Sequence, residues 1–415
     1  MADIRPFLPL RYDRSVVGDM HNVISPPYDV ITEKDRVALQ AKSEFNAVGL
    51  DLTNPSYLSE TGADQRHQKS RETLNAWIAG NVLVQEQKPC LYVVQDSFEW
   101  KGQKHDRIGI LCTVKMEKPG KTILPHEKVL DTPIEDRMKL LKAVQAHLSP
   151  VFFVCHDEEK NILSAIRNLC SQSAPESFEG SQEGLSHRIW KVENPKDTEQ
   201  LQRLFEGKNL LIADGHHRYQ TSYLYSLSEE AKSMEEAKWM LSYISLFPSD
   251  GLVVSAFHRL VTSDLPTKEL LAKLAPLFDI VDEKLDWQTF ERSTSPLALV
   301  NGAPGRMYLL IPKKDFPLLA PELTKIPTSL LNSVLLEIFR IDITQASDQK
   351  KVSYFPDEQK LLDAQKESSG IGFWVKSVFV PDIFDATKVG YVLPPKSTYF
   401  YPKVPTGIAF HLLKS

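Results

Sequence analysis

Four cysteines in 415 residues is a sparse supply. Cys90, Cys112, Cys155 and Cys170 lie too far apart for a zinc knuckle or a CxxC redox pair, and three of them sit in or beside apolar runs, as small core residues do. The chain has no HExxH pair, no GxxxxGK[ST] loop, no internal repeat and no low-complexity tract beyond a short polar stretch. No apolar run approaches the roughly 20 residues needed to span a bilayer, which argues against a membrane partner. Charge of either sign is also lacking in excess: the formal net charge is -5, which speaks against a general nucleic-acid or anionic-membrane binder and leaves room for a local basic pocket. With an N-terminus that lacks a hydrophobic signal core, these features point to a reducing cytoplasm. The length suits two or three domains with a large core.

What is present centres on residues 209–225, NLLIADGHHRYQTSYLY. Four of the first five residues are apolar, which predicts a short buried strand; Asp214-Gly215 breaks the pattern, and 216–225 can run as a helix. The start of a helix presents backbone N–H groups and the positive end of the macrodipole, so it attracts anions. His216, His217 and Arg218 add side-chain donors there. Gly215 permits a tight turn or close approach to a ligand, and Asp214 can cap the helix, hold a histidine tautomer or bind Mg2+. Together they read as a phosphate site, with an ordinary N-cap and solvated helix start as the alternative.

Around this stretch the pattern predicts a helix over 64–80, a hairpin from Leu91–Trp100 and Arg107–Met116, and a strand over Val151–Cys155. A Thr132-Pro133-Ile134-Glu135 capping box opens a helix whose apolar face runs to Leu148 and stops at Ser149-Pro150. Helices follow over 157–170 and 195–206, with a strand at Ser186–Val192 and linker-like composition between Ser171 and Gly184. A Glu-, Lys- and Met-rich helix is expected over 228–241, then strands at Tyr243–Phe247 and Leu252–Val254. A soft domain boundary near 240 divides the chain into 1–240 and 241–415.

Three further clusters carry chemistry. Ser25-Pro26-Pro27-Tyr28-Asp29 must be a stiff loop, either an elbow or a device that sets Tyr28 and Asp29 at a pocket rim. His126 and Glu127 lie in a loop between a strand and a capped helix; glutamate there suits a general base and histidine a phosphate ligand or proton shuttle, while an exposed loop explains the same residues. Lys396, Ser397 and Thr398 offer one cation and two hydroxyls in succession, ahead of Tyr399-Phe400-Tyr401, a pattern that fits a phosphate grip or an edge strand with a basic flank. His258 and Arg259 are further candidates for a pocket rim.

VISPPYDVI, LPHEK with a following DR-containing helix, IADGHHRYQTSYLY and PPKSTYFYPKVPTG together resemble the bacterial family of domain of unknown function 1015, over residues 5 to about 410. Val129 and Ser255-Ala256-Phe257 depart from that family's usual residues. The DGHHR element in turn is similar to the phosphate motif of the ParB/sulfiredoxin superfamily, which includes CTP-, ATP- and ADP-binding proteins and free-serine kinases with an upstream catalytic glutamate. The resemblance implies an α+β fold, with a ParB/sulfiredoxin-like mixed α/β N-terminal half and a second α+β half completing the site. It implies ATP or ADP with Mg2+ as cofactors, Asp214 as metal ligand, and Gly215, His216, His217 and Arg218 on the nucleotide. Glu127, Asp214 and His217 take the catalytic roles, with Lys396, Ser397 and Thr398 as further phosphate donors. The expected activity is phosphoryl transfer from a nucleotide to a small hydroxylated, serine-like metabolite. A non-catalytic nucleotide sensor and a phosphoester hydrolase are the alternatives. Oligomeric state is open.

Overall fold

The computed structural model describes residues 2–53, 65–128, 131–182, 184–300, 305–317, 321–345, 348, 350–368, 370–394 and 396–414, without the side chains of 131–133 and 321. It is a mixed α/β protein whose contacts divide it into two compact units. Unit 1 comprises Met1–Leu124, Val129–Leu252 and Pro402–Ser415; unit 2 comprises Pro125–Lys128 and Val253–Tyr401. Residue 240 lies within the strand Trp239–Phe247 of unit 1. No described helix is long and apolar enough to cross a membrane.

Unit 1 is built on a nine-stranded sheet. Its order is Ile123–Pro125, Leu210–Asp214, Val151–His156, Trp239–Phe247, Gln103–Lys115, Leu91–Trp100, Ser186–Val192 and Glu176–Glu179, with Ile4–Arg5 added to Gln103–Lys115. Trp239–Phe247 runs parallel to Val151–His156 and antiparallel to Gln103–Lys115. The strands Leu210–Asp214 and Val151–Cys155 are buried at every residue, which explains their unbroken apolar reading. Ile4, Val93, Ile110, Val151, Phe153, Leu210, Ile212 and Tyr219 belong to one core cluster, where each buried aliphatic side chain contributes on the order of 2 kcal/mol.

The hairpin is Leu91–Trp100 with Gln103–Lys115, and the helix expected at 64–80 spans Arg66–Ala79. The helix Asp131–Val144 ends four residues before Leu148 and gives way to the short strand Ala146–His147. Its capping box lies outside the described side chains. The expected helix over 228–241 is absent: turns lead to the short 3-10 helix Glu236–Lys238, and Trp239 already pairs with Lys115 in the sheet. Helix propensity there yields to sheet pairing and burial of Ala237 and Trp239. The linker-like stretch contributes the strand Glu176–Glu179.

Unit 2 holds a six-stranded antiparallel sheet ordered Phe278–Lys284, Arg306–Pro312, Leu297–Leu299, Ile371–Val375, His258–Val261 and Val352–Phe355. The amphipathic helix Pro327–Phe339 buries Leu330, Leu331, Val334 and Leu335 in the same cluster as Leu297, Leu310 and Phe373. A two-stranded ribbon pairs Val253–Ser255 with Tyr399–Tyr401, so the aromatic run is a strand.

Candidate functional site

The strand Leu210–Asp214 changes register against its neighbour between Ile212 and Asp214. Such a bulge re-aims the residue that follows it. Gly215 then takes a left-handed conformation, φ +91°, and the helix His216–Ser226 begins. A side chain at 215 would be strained by that backbone and would meet the Arg218 guanidinium at 3.1 Å. Glycine is therefore required twice over.

Asp214 is buried, and both of its oxygens face cations. Arg218 donates to Oδ2 at 2.6 Å, and Lys403 donates to Oδ1. Burial alone would raise the Asp214 carboxyl, but Lys403, and after it Arg218, hold it down at about 2. Arg218 is itself buried and donates to Ser149 Oγ at 3.2 Å and to the Pro150 carbonyl. Its guanidinium is thus a crosslink inside unit 1. Tyr28 and Asp29 bear on its charge from the N-terminal loop, and the Tyr28 ring lies under the Arg137 guanidinium at 4.2 Å. Burial pushes the Tyr28 phenol up to about 12.

Arg137 continues this network: Nη1 donates to Asp51 Oδ1 at 2.8 Å, and Nε and Nη2 donate to Asp136. A cleft open to solvent adjoins it, lined among others by Asp51, Arg137, His147, Ser149, Arg218 and Thr221.

The remaining sequence candidates form a second set, in unit 2. Glu127 Oε1 accepts from the backbone N–H groups of Ser397 at 3.0 Å and Thr398 at 3.2 Å, and Oε2 from that of Lys396 at 3.3 Å. Lys396 has φ +59°, and successive N–H groups in such a turn form an anion-binding nest. The anion in this nest is the protein's own glutamate. His126, fully buried, shares a hydrogen bond of 2.6 Å with the Thr398 hydroxyl. Ser397 Oγ donates to the Pro394 carbonyl and shares a 2.9 Å bond with Thr328. Arg259 donates to the Lys396 carbonyl at 2.7 Å and stacks on Tyr354; burial lowers its guanidinium to about 10. His258 Nδ1 accepts from the Val375 N–H at 3.1 Å, so it ties two strands together.

Sequence reasoning singled out Lys396 as the cation of the C-terminal motif, yet Lys403, seven residues on, is the one that pairs with Asp214. It also missed Asp51 and His147, whose local sequence carries no motif, and gave no role to Arg137 and Thr221, although both lie inside stretches that it quoted. Among the described residues no three His, Cys, Asp or Glu side chains gather as a metal cage. Asp214, with a cation on each oxygen, does not fit a resident Mg2+.

The family model described as protein of unknown function (DUF1015) matches residues 4–350. The chain belongs to the DUF1015 family. No curated protein matches it. Among solved structures, this DUF1015 chain is similar to a free serine kinase in complex with AMP, at 15% identity and TM-score 0.38 over 72% of this chain and 91% of that one. It is similar to a conserved hypothetical protein from Pyrococcus furiosus at 15% identity and TM-score 0.37, over 72% and 95% of the two chains. SbnI with a C-terminal truncation, from Staphylococcus aureus, shares 12% identity at TM-score 0.37, over 72% of this chain and 88% of its own.

Proposed function

We propose that this protein binds a nucleoside di- or triphosphate at the Gly215–Arg218 turn of unit 1 and transfers a phosphoryl group to a small hydroxylated metabolite. The observation that carries the reading is the turn itself. A bulged strand and a left-handed glycine start a helix with two histidines in its first turn, beside a buried Asp214–Lys403–Arg218 cluster. Helix starts of this kind favour phosphate oxygens, and phosphoryl transfer depends chiefly on positioning and charge neutralisation.

In this reading His216 and His217 face the phosphates, Asp214 keeps Lys403 charged and placed, and Arg218 anchors the helix to Ser149 and Pro150 rather than touching the ligand. Glu127 organises the Lys396–Thr398 turn; with three backbone N–H groups on its carboxylate it is not the base we assign to the acceptor hydroxyl. Any Mg2+ would arrive on the nucleotide's own phosphates.

Calorimetric titration with ATP, ADP and CTP, each with and without Mg2+, tests this. One nucleotide should bind, and His217→Gln should weaken it at least tenfold with thermal stability retained. Absence of binding by all three would overturn the reading. Phosphate released without an acceptor would make the protein a hydrolase, and binding without turnover a sensor.

A further inference from the structure

The cleft beside Arg218 contains three polar atoms that are buried and have no hydrogen-bond partner among the described residues: Asp51 Oδ2, His147 Nε2 and Thr221 Oγ1. Asp51 is 6% exposed, His147 4% and Thr221 2%. A buried polar group left unsatisfied destabilises the fold, so three around one cleft are a costly arrangement unless something fills it.

The chemistry of the filler can be read from the three atoms. The Leu241 N–H donates to His147 Nδ1 at 3.3 Å, so Nδ1 carries the lone pair and the proton of the neutral ring sits on Nε2. His147 therefore presents a donor. Asp51 has one oxygen taken by Arg137, which leaves the other as an acceptor without a donor. Thr221 supplies a hydroxyl that works either way. Leu140, Leu141, Leu148 and Met240 supply apolar lining, and the guanidiniums of Arg137 and Arg218 also border the cleft, each already held by a carboxylate.

A phosphate does not complement this set, because the two arginines that border the cleft are occupied by Asp51, Asp136 and Asp214, and the Asp51 oxygen left without a partner offers phosphate no hydrogen. We infer that the cleft lined by Asp51, His147 and Thr221 is a binding site for a small amino metabolite, whose ammonium meets Asp51 and whose carboxylate or hydroxyl oxygen meets the His147 Nε2–H. Thr221 and Arg218 lie one turn apart on the same face of the helix His216–Ser226, so the cleft and the phosphate turn share one rigid element. Calling this metabolite the phosphoryl acceptor rests on the proposed function; its binding does not.

The test is titration of the full-length protein, without nucleotide, with glycine, serine, ethanolamine, glycerate and glycerol. At least one of the amino compounds should bind, and Asp51→Asn should weaken it tenfold or more. Because Asp51 also braces Arg137, Asp51→Asn can unfold the chain, and Thr221→Val provides the independent arm. The valine has nearly the shape of threonine and removes a hydroxyl that has no partner in the fold. Thermal stability should therefore be equal or higher in Thr221→Val while metabolite affinity falls at least fivefold. Failure of every amino compound to bind, or unchanged affinity in Thr221→Val, overturns the assignment. Metabolite binding without any nucleotide binding would leave the cleft assigned and sink the phosphotransfer reading; nucleotide binding without metabolite binding would do the reverse.

Discussion

Two carboxylate centres, Asp214 buried in unit 1 and Glu127 half-buried in unit 2, look alike as sequence and differ as chemistry. Asp214 in unit 1 is neutralised by two side-chain cations; Glu127 in unit 2 is neutralised by three backbone N–H groups. The first adjoins a cleft whose polar lining is incompletely satisfied, whereas the Glu127 carboxylate fills the very nest that an external anion would use. A run of His, Glu, Lys, Ser and Thr therefore marks a place where polar groups converge. Whether they converge on a ligand or on one another is decided by residues far away in the chain.

The most severe way to strain this contrast is Arg218→Ala. It strands the Asp214–Lys403 pair and empties a buried crosslink, so urea unfolding should report a loss of about 3–5 kcal/mol. A loss below about 1 kcal/mol would mean that Arg218 faces a ligand rather than the fold.

Acidification probes the same unit without mutation. His147 and His411 are 5.7 Å apart, centre to centre, and burial lowers both: His147 well below 6.5, with His411 adding to the shift, and His411 to about 4. A histidine whose folded value is depressed contributes stability that is complete above its unfolded value near 6.5 and is lost as pH falls toward the folded value. Between pH 6.5 and 4 unfolding free energy should thus decline by about 1.4 kcal/mol per pH unit for each histidine. His411→Asn should make that slope shallower; an unchanged slope would exclude the pair as its source. The Asp214 carboxyl acts only further down, its contribution intact above about 3.8 and lost toward 2.

Gly215→Ala sharpens the comparison at the turn. It forces a side chain into φ +91° against Arg218 and should cost about 1–3 kcal/mol, with nucleotide affinity falling in parallel. Retained affinity in a stable Gly215→Ala protein would place the phosphate elsewhere. The mildest change is Glu127→Gln, where an amide oxygen can still accept from the nest: a loss of about 1 kcal/mol and undiminished turnover are expected. Abolished turnover with unchanged stability would return Glu127 to the catalytic machinery.

The strand-to-helix turn was legible because its signals are local: an apolar run from Leu210 to Ala213, then Asp-Gly, then a helical pattern. The hairpin and the strand Ser186–Val192 were legible for the same reason. The region 228–241 misled because Glu, Lys and Met favour helix, while the end of the interior strand Gln103–Lys115 recruits Trp239 into the sheet. Glu127 was recognisable as important but not as self-satisfied, since its donors lie 269 to 271 residues away. Asp51 carried no signal at all, and Thr221 sat unremarked inside the central stretch: what distinguishes both is a missing partner in three dimensions, which no one-dimensional pattern records.

The pairing of Asp214 with Lys403 spans 189 residues, and Pro402–Ser415 belongs to unit 1 although unit 2 intervenes. On a ribosome this imposes an order. The sheet of unit 1 can begin to collapse once its strand Trp239–Phe247 has emerged, but Asp214 waits for Lys403, Arg107 waits for the Pro402 carbonyl, and Ala146–His147 wait for the strand His411–Leu412. Until then a buried carboxylate has half its counter-charge, and a nascent chain is competent to collapse before the Asp214 cluster is complete. A fragment cut at residue 252 would inherit that immature state permanently.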